Sequence, residues 1–319
     1  MTVVAVVGRG VVGQRITRRL PTVIDGVTLV DHDPRSGREL PGDVAVAVLA
    51  HGSSHADLAR QLVDRGVGVV SVSDDLADVR SMLDLDDTAR AADVPVVVGA
   101  GMDPGLTGLL ARLSVAKLAT CDEIHVSIHG TAGPACARRH HRSLSGRALG
   151  FHEGEWTQPT AGSGRELCWF PEPVGPYDCY RAELASPLLL HESFADADRI
   201  SARMSANRRD RFTAWLPMLS PPHREGGVGA VRVEVRGTDS AGGRVTSIVG
   251  IAELVATATA ATASAFAIEA LNGRVPSGVS RAGDAALDTN GILRTVSQLG
   301  VRLQEFTGVP STQRIRANP

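Results

Sequence analysis

The sequence predicts an α/β protein: a doubly wound parallel sheet over residues 1–120, followed by an α+β region with a mixed or antiparallel sheet. Three observations carry this prediction. Short β-branched runs alternate with amphipathic stretches through the first 120 residues, as parallel strands joined by crossover helices require. Beyond residue 120 the pattern turns to longer alternating stretches around a Gly-, Arg-, His- and Trp-rich segment. The chain has 319 residues, enough for two domains and a sizeable core.

The N-terminal run 3–7, VVAVV, is continuous and β-branched, as in a strand buried on both faces. A glycine turn over 8–13 leads into a predicted helix over 12–20. Further strands are expected over 27–30, 44–49, 67–72 and 94–98, with helices over 55–65, 76–92 and 106–118 between or after them. A half-buried strand is expected over 123–129. The segment 130–175 shows few helical signals, and two strands over 228–236 and 245–251 flank a turn-like 238–243. An Ala-rich buried helix over 251–271 and a last helix over 292–299 close the chain. The expected division is 1–120, a nucleotide-binding-type domain; 121–251, a substrate and dimerisation domain; and 252–319, helices that return to the first domain.

Composition excludes little but points one way. Hydrophobic residues make up 43% and charged residues 21%, with a net charge of −2, which gives no reason to expect a nucleic-acid or membrane partner. The four cysteines, Cys121, Cys136, Cys168 and Cys179, show no metal-site spacing, so no metal is expected and a reduced, cytoplasmic setting is. The apolar N-terminus lacks a basic leader and reads as a strand.

Gly8-Arg-Gly-Val-Val-Gly13 is a G-x-G-x-x-G motif between a predicted strand and a predicted helix, the context that gives it meaning. Gly8 permits the tight turn, Gly10 close approach of a pyrophosphate, and Gly13 helix–strand packing. Val11 and Val12 place the helix N-terminus and its free N–H groups beside the phosphates. This is the Rossmann arrangement, and the expected ligand is NAD. Asp31, 18 residues past Gly13, would accept hydrogen bonds from the adenine ribose and favour NAD. Arg35 and Arg38 just downstream would offset repulsion of a 2′-phosphate, so NADP stays open. His51, after the third strand, and Gly101, after the fifth, are expected to line the cofactor. His55 reads as an early helix residue with Ser54 as its N-cap.

Residues 97–110, VVGAGMDPGLTGLL, resemble the segment after the fifth strand in the saccharopine dehydrogenase family, and 51–75 is similar to that family too. The resemblance implies that the D-P-G-L turn borders nicotinamide and substrate, which assigns Asp103 and Gly105 to the substrate. Arg139-His140-His141-Arg142 followed by 145–149, SGRAL, resembles a shortened substrate loop of dihydrodipicolinate reductases. That loop carries a lysine as proton donor, whereas here Arg142-Ser143-Leu144 stands in its place. Lys117 is the only lysine in the chain. A proton donor must then be His, Tyr, Cys or a carboxyl group. His140 or His141 is the expected donor, one facing the pocket from an extended loop, its pKa lowered by neighbouring arginines. Arg139 and Arg142 are the expected carboxylate anchors. Aromatic residues gathered over 156–180 form either a pocket wall or a satellite core.

The reading is an NAD(P)-dependent oxidoreductase moving a hydride to or from a small carboxylate-bearing amine, imine, keto acid or hydroxy acid, with a homodimer expected. A dehydrogenase of a sugar acid or polyol, and a non-catalytic NAD-sensing or scaffold protein, are the alternatives.

Overall fold

The computed structural model describes residues 2–305. It begins with β1 (Thr2–Val7), α1 (Val11–Arg19), β2 (Val27–His32), β3 (Val44–Leu49), α2 (Ala56–Asp64), β4 (Gly68–Ser71), α3 (Leu76–Leu83), α4 (Asp86–Ala91), β5 (Pro95–Val98) and α5 (Leu106–Val115). The single helix expected over 76–92 is two. Asp86 and Asp87 start α4 afresh, and Asp86 Oδ1 accepts the Val279 N–H at 2.7 Å, so a distant segment sets the break.

The chain continues through β6 (Thr120–His129), α6 (Pro134–Ser143), β7 (Gly150–His152), β8 (Glu155–Thr157), β9 (Glu166–Trp169), β10 (Pro176–Arg181), α7 (Ser186–Ser193), β11 (Arg199–Ser205), α8 (Arg208–Thr213), β12 (Val228–Thr238) and β13 (Arg244–Leu254). It ends with α9 (Val255–Leu271), β14 (Gly278–Arg281), α10 (Thr289–Gln298) and β15 (Gln304–Glu305). The Ala-rich helix starts later than expected because 251–254 still pair with 228–231 in the β12–β13 ladder.

Six parallel strands form the first sheet, in the order β14-β5-β4-β3-β1-β2. The chain runs from β1 outward to β2, then returns to β3 on the other side of β1. This reversal opens a crevice at the carboxyl ends of β1 and β3, the usual ligand position in such sheets. β14 was not legible in the sequence: GVSR has neither a long apolar run nor alternation, and its place is set by β5.

The second sheet runs β15-β13-β12-β6-β11-β10-β9, with β7 and β8 added at β11. It is mixed, because β6 and β11 are parallel while the other pairs are antiparallel. Between the sheets lies α9, with 15 of its 17 residues buried. Its Ala, Thr and Ser side chains keep it thin enough to touch α1, β3 and β13 at once. Its one buried acid, Glu269, is held by Arg274 through two bonds of 2.6 Å. Among the described residues no helix is long and apolar enough to cross a membrane.

Candidate active site

The glycine turn is built by close backbone approach. Gly8 has φ 129°, and a Cβ there would lie 2.3 Å from Ala50 O on the neighbouring strand end. A Cβ on Gly13 would lie 1.7 Å from Gly8 O. Gly10 differs: a Cβ there meets nothing within 4 Å, because it points into open space. That space is a cavity of about 550 Å³ lined by Gly8, Gly10, Val11, Val12, His51, Gly101, Met102 and Asp103, among others. The N-terminus of α1 faces it with no side-chain cap and no acidic residue in its first turn. Its first N–H groups have no partner within the helix, so they are free for an anion. An open cradle beside an uncapped helix fits the pyrophosphate of a dinucleotide.

Asp31 lies at the end of β2 but is engaged by Arg9 at 3.1 Å. It borders a smaller adjoining cavity of about 330 Å³ with Arg38 and Ser36, while Asp33 and Arg35 reach the main cavity. The free carboxylate expected from the sequence is thus one half of an ion pair. His51 lines the cavity, with its Nδ1 2.8 Å from Ser53 Oγ and its ring 4.2 Å from that of His55. Burial lowers the pKa of His51. His55 is fully structural: burial, then the neighbouring His51, push its pKa to about 3. The cap of α2 is not Ser54. Asp78 Oδ1 accepts the N–H groups of His55 and Ala56 at 2.9 and 3.0 Å, and the Ser54 hydroxyl at 2.6 Å.

The turn after β5 departs from expectation at Gly105. Its φ is 137°, and a Cβ would lie 2.3 Å from Gly101 O. The glycine therefore serves the turn's own backbone, and it does not line the main cavity. Asp103 does. Ser186 Oγ donates to both its carboxylate oxygens at 2.6 Å and Thr107 Oγ1 to one at 2.8 Å. Burial raises its pKa against those bonds.

The segment carrying the His pair is not an extended loop but helix α6. Pro134 takes its first turn after Gly133, and the remaining residues tolerate helix. The sequence hid it because only one residue from 135 to 143 other than alanine, Cys136, is apolar, so no hydrophobic period shows. Adjacent helical residues point about 100° apart, and the two histidines separate accordingly. His141 Nε2 faces the carbonyls of Thr213 and Leu216 at 3.1 and 3.2 Å, tying down the segment after α8. His140 is 8% exposed and is the one residue, among those described, that lines both the 550 Å³ cavity and a second cavity of about 820 Å³.

His140 has partners the sequence did not reveal. Cys136 Sγ lies 3.7 Å and Asp74 Oδ2 3.4 Å from its Nε2. These three side chains bring their donor atoms within 4.8 Å of one another, a cluster not expected from Cys and His spacing because Asp74 arrives from another element. The pKa of His140 is raised, contrary to expectation. Burial alone would lower it, but Cys136 and Asp103 outweigh both burial and the smaller push from Arg139.

The arginines also differ from expectation. Arg139 is paired with Asp74 and lies near Asp75, and it donates to Gly52 O at 3.2 Å. Arg142 is exposed and lines neither cavity. Arg139 lines the first cavity beside His140, whereas Arg142 sits about 160° round the helix from His140. Arg138 lines the first cavity and has no ion pair among the described residues. Lys117 pairs with Glu305 at 2.5 Å on the surface.

The second cavity is walled by Leu167, Trp169, Tyr177, Met204 and Met218, with the His129 ring tilted against that of Tyr177 at 4.1 Å. The aromatic cluster thus divides. Trp169 and Tyr177 form the wall, Phe170 and Tyr180 are core, and Trp156 packs on Phe151 and His191.

Fold and site together define a two-domain α/β protein with a dinucleotide-type cradle set against a mixed-sheet domain. Its fold superposes on several solved structures. Saccharopine dehydrogenase (L-Glu forming) from Saccharomyces cerevisiae superposes with a TM-score of 0.67 at 10% identity, covering 96% of this chain and all of that one. The DAP dehydrogenase of C. glutamicum, in complex with DAP, gives 0.50 at 17% identity over 88% of this chain and 93% of that one. An engineered D-amino acid dehydrogenase bound to NADP+ gives 0.50 at 15% over the same shares, 88% and 93%. No protein-family model matches the chain, and no curated protein does.

Proposed function

We propose that this protein is an NAD(P)-dependent oxidoreductase whose dinucleotide occupies the 550 Å³ cavity and whose substrate enters the 820 Å³ one. The observation that carries the reading is His140, the side chain shared by both cavities. The names of the structural neighbours, dehydrogenases of saccharopine, DAP and D-amino acids, agree with it.

Gly8, Gly10, Val11, Val12 and Gly13 would hold the pyrophosphate, with Asp33, Arg35 and the Arg9–Asp31 pair toward the adenine ribose. When bound, the cofactor supplies or accepts a hydride at its nicotinamide carbon. Met102, Ile128 and Val255 are apolar side chains of the cavity lining on which the nicotinamide ring would pack. His140 stands charged above the ordinary imidazole range and donates its proton from Nε2 to the nascent amine or alkoxide. Asp103, fixed by Ser186 and Thr107, and Cys136 are the groups that keep that proton in place. The substrate is a small amine or imine, or a hydroxy or keto acid, bearing a carboxylate. Arg138, in the first cavity wall, is the guanidinium available to it, in place of Arg139 and Arg142.

The test is a screen of imino and keto acids against NADH and NADPH, followed by loss of nicotinamide absorbance. The proposal expects turnover with at least one carboxylate-bearing imine or keto acid. Absence of binding of either dinucleotide would overturn it.

A further inference from the structure

Cys136 is the third residue of α6, one turn ahead of His140, and both line the first cavity. At that position backbone N–H groups have no partner within the helix. The N–H groups of Ala132 and Gly133 also act on its sulfur, and His140 Nε2 is 3.7 Å away. Burial pushes the thiol up, but the imidazolium and those N–H groups outweigh it, and it titrates below the ordinary thiol range. His140 Nδ1 is buried without a partner among the described residues, so the ring has no other anchor at that edge.

The other cysteines lack this combination. Cys121 is held at about 11 by burial and Asp122. Cys179 is fully buried and pushed up by Cys168. Cys168 is lowered to about 7 by Cys179, then Ser127, yet it is 3% exposed in the core of the second sheet. Only Cys136 joins thiolate character to an open cavity.

We propose that Cys136 is a covalent modification site that takes soft electrophiles, small disulfides above all, from the first cavity, and that its modification closes the cavity to a dinucleotide. With a disulfide, the Cys136 sulfur attacks one sulfur of the pair. A new S–S bond forms, the old one breaks, and the leaving thiolate takes a proton from solvent. Cys136 is oxidised and the small disulfide reduced, and an excess of small thiol reverses the exchange. The thiolate site rests on the geometry of α6. The loss of dinucleotide binding rests on the function proposed above.

The probe is iodoacetamide on the full chain at about pH 6.5, near the ordinary imidazole value, with labelled cysteines identified by peptide mass. Cys136 should label about tenfold or more faster than the other three, as thiolate fraction and access dictate. Its rate should reach half-maximum below the pH at which a free cysteine does. His140→Gln should slow it at this pH and restore it at higher pH, a shift that access alone would not produce. Cys136→Ser should abolish the fast phase, and glutathione disulfide should form its mixed disulfide at the same residue. Equal labelling of the four cysteines, or a Cys136 rate with the pH dependence of a free thiol, would overturn the proposal. NADH titration then separates the two claims. Binding to the intact chain but not to the labelled one supports closure, and equal binding to both refutes closure. Binding to neither refutes the dinucleotide reading while the thiolate site stands.

Discussion

The two walls of the main cavity are built by different means. On one side, the turn over 8–13 is made of backbone: carbonyls lie where a Cβ on Gly8 or Gly13 would be, and a Cβ on Gly10 would point into the open cavity. On the other side, α6 contributes side chains whose properties come from partners elsewhere in the chain: Asp74, Asp103 and the carbonyls of Thr213 and Leu216. A backbone site announces itself in residue type and spacing. A side-chain site does not, because its chemistry is assembled by tertiary contact.

The contrast is broken most sharply at the His pair. His140→Gln should cut turnover by about 10²–10⁴-fold, the usual worth of a positioned general acid, with dinucleotide affinity intact. His141→Gln should leave turnover near normal and lower stability by about 1 kcal/mol, since the half-buried Leu216 carbonyl loses its contact with His141 while that of Thr213 keeps the Leu216 N–H. In the reductive direction the rate should fall as pH rises past the pKa of His140, which lies above its ordinary value. In Cys136→Ser that fall should move to lower pH, because the thiolate that favours the imidazolium is gone. If both histidine variants behave alike, the assignment of separate roles on α6 is wrong.

The next effect is on folding. Gly105→Val should cost about 3 kcal/mol or more, combining a disfavoured φ with a clash against Gly101. Thermal unfolding measures it, and an unchanged midpoint would return Gly105 to a ligand-facing role. The smallest effect concerns cofactor choice. Arg9→Ala frees the Asp31 carboxylate and should shift preference from NADPH toward NADH by about fivefold or less, the scale of an exposed ion pair. A shift the other way would show that Asp31 does not face the ribose.

The sequence revealed most of the parallel sheet, since β1, β3 and β5 are unbroken valine-rich runs buried on both faces. It missed β14, whose four residues carry no period, and α6, whose polar surface is covered by neighbours. The glycine turn over 8–13 was legible as a strand-to-helix turn, with α1 starting at Val11. The sequence offered His140 as a titratable candidate but not the direction of its pKa shift, because Cys136 and Asp103 outweigh burial and Arg139, and a linear chain does not place Asp103 beside the ring. Of the two expected carboxylate anchors, Arg142 is exposed and lines neither cavity, while Arg139 lines the first cavity but is engaged by Asp74.

The central claim is that the open space at Gly10 is a dinucleotide cradle, and Gly10→Val tests it directly. The backbone at Gly10, φ −74° and ψ −176°, suits any residue, and a Cβ there meets no protein atom within 4 Å. The variant should therefore unfold at the same temperature as the unmodified chain. Fluorescence titration should show NADH and NADPH binding weakened by about tenfold or more, roughly the 1.4 kcal/mol that a blocked phosphate contact exceeds. Dinucleotide binding unchanged by a valine at position 10 would contradict the account.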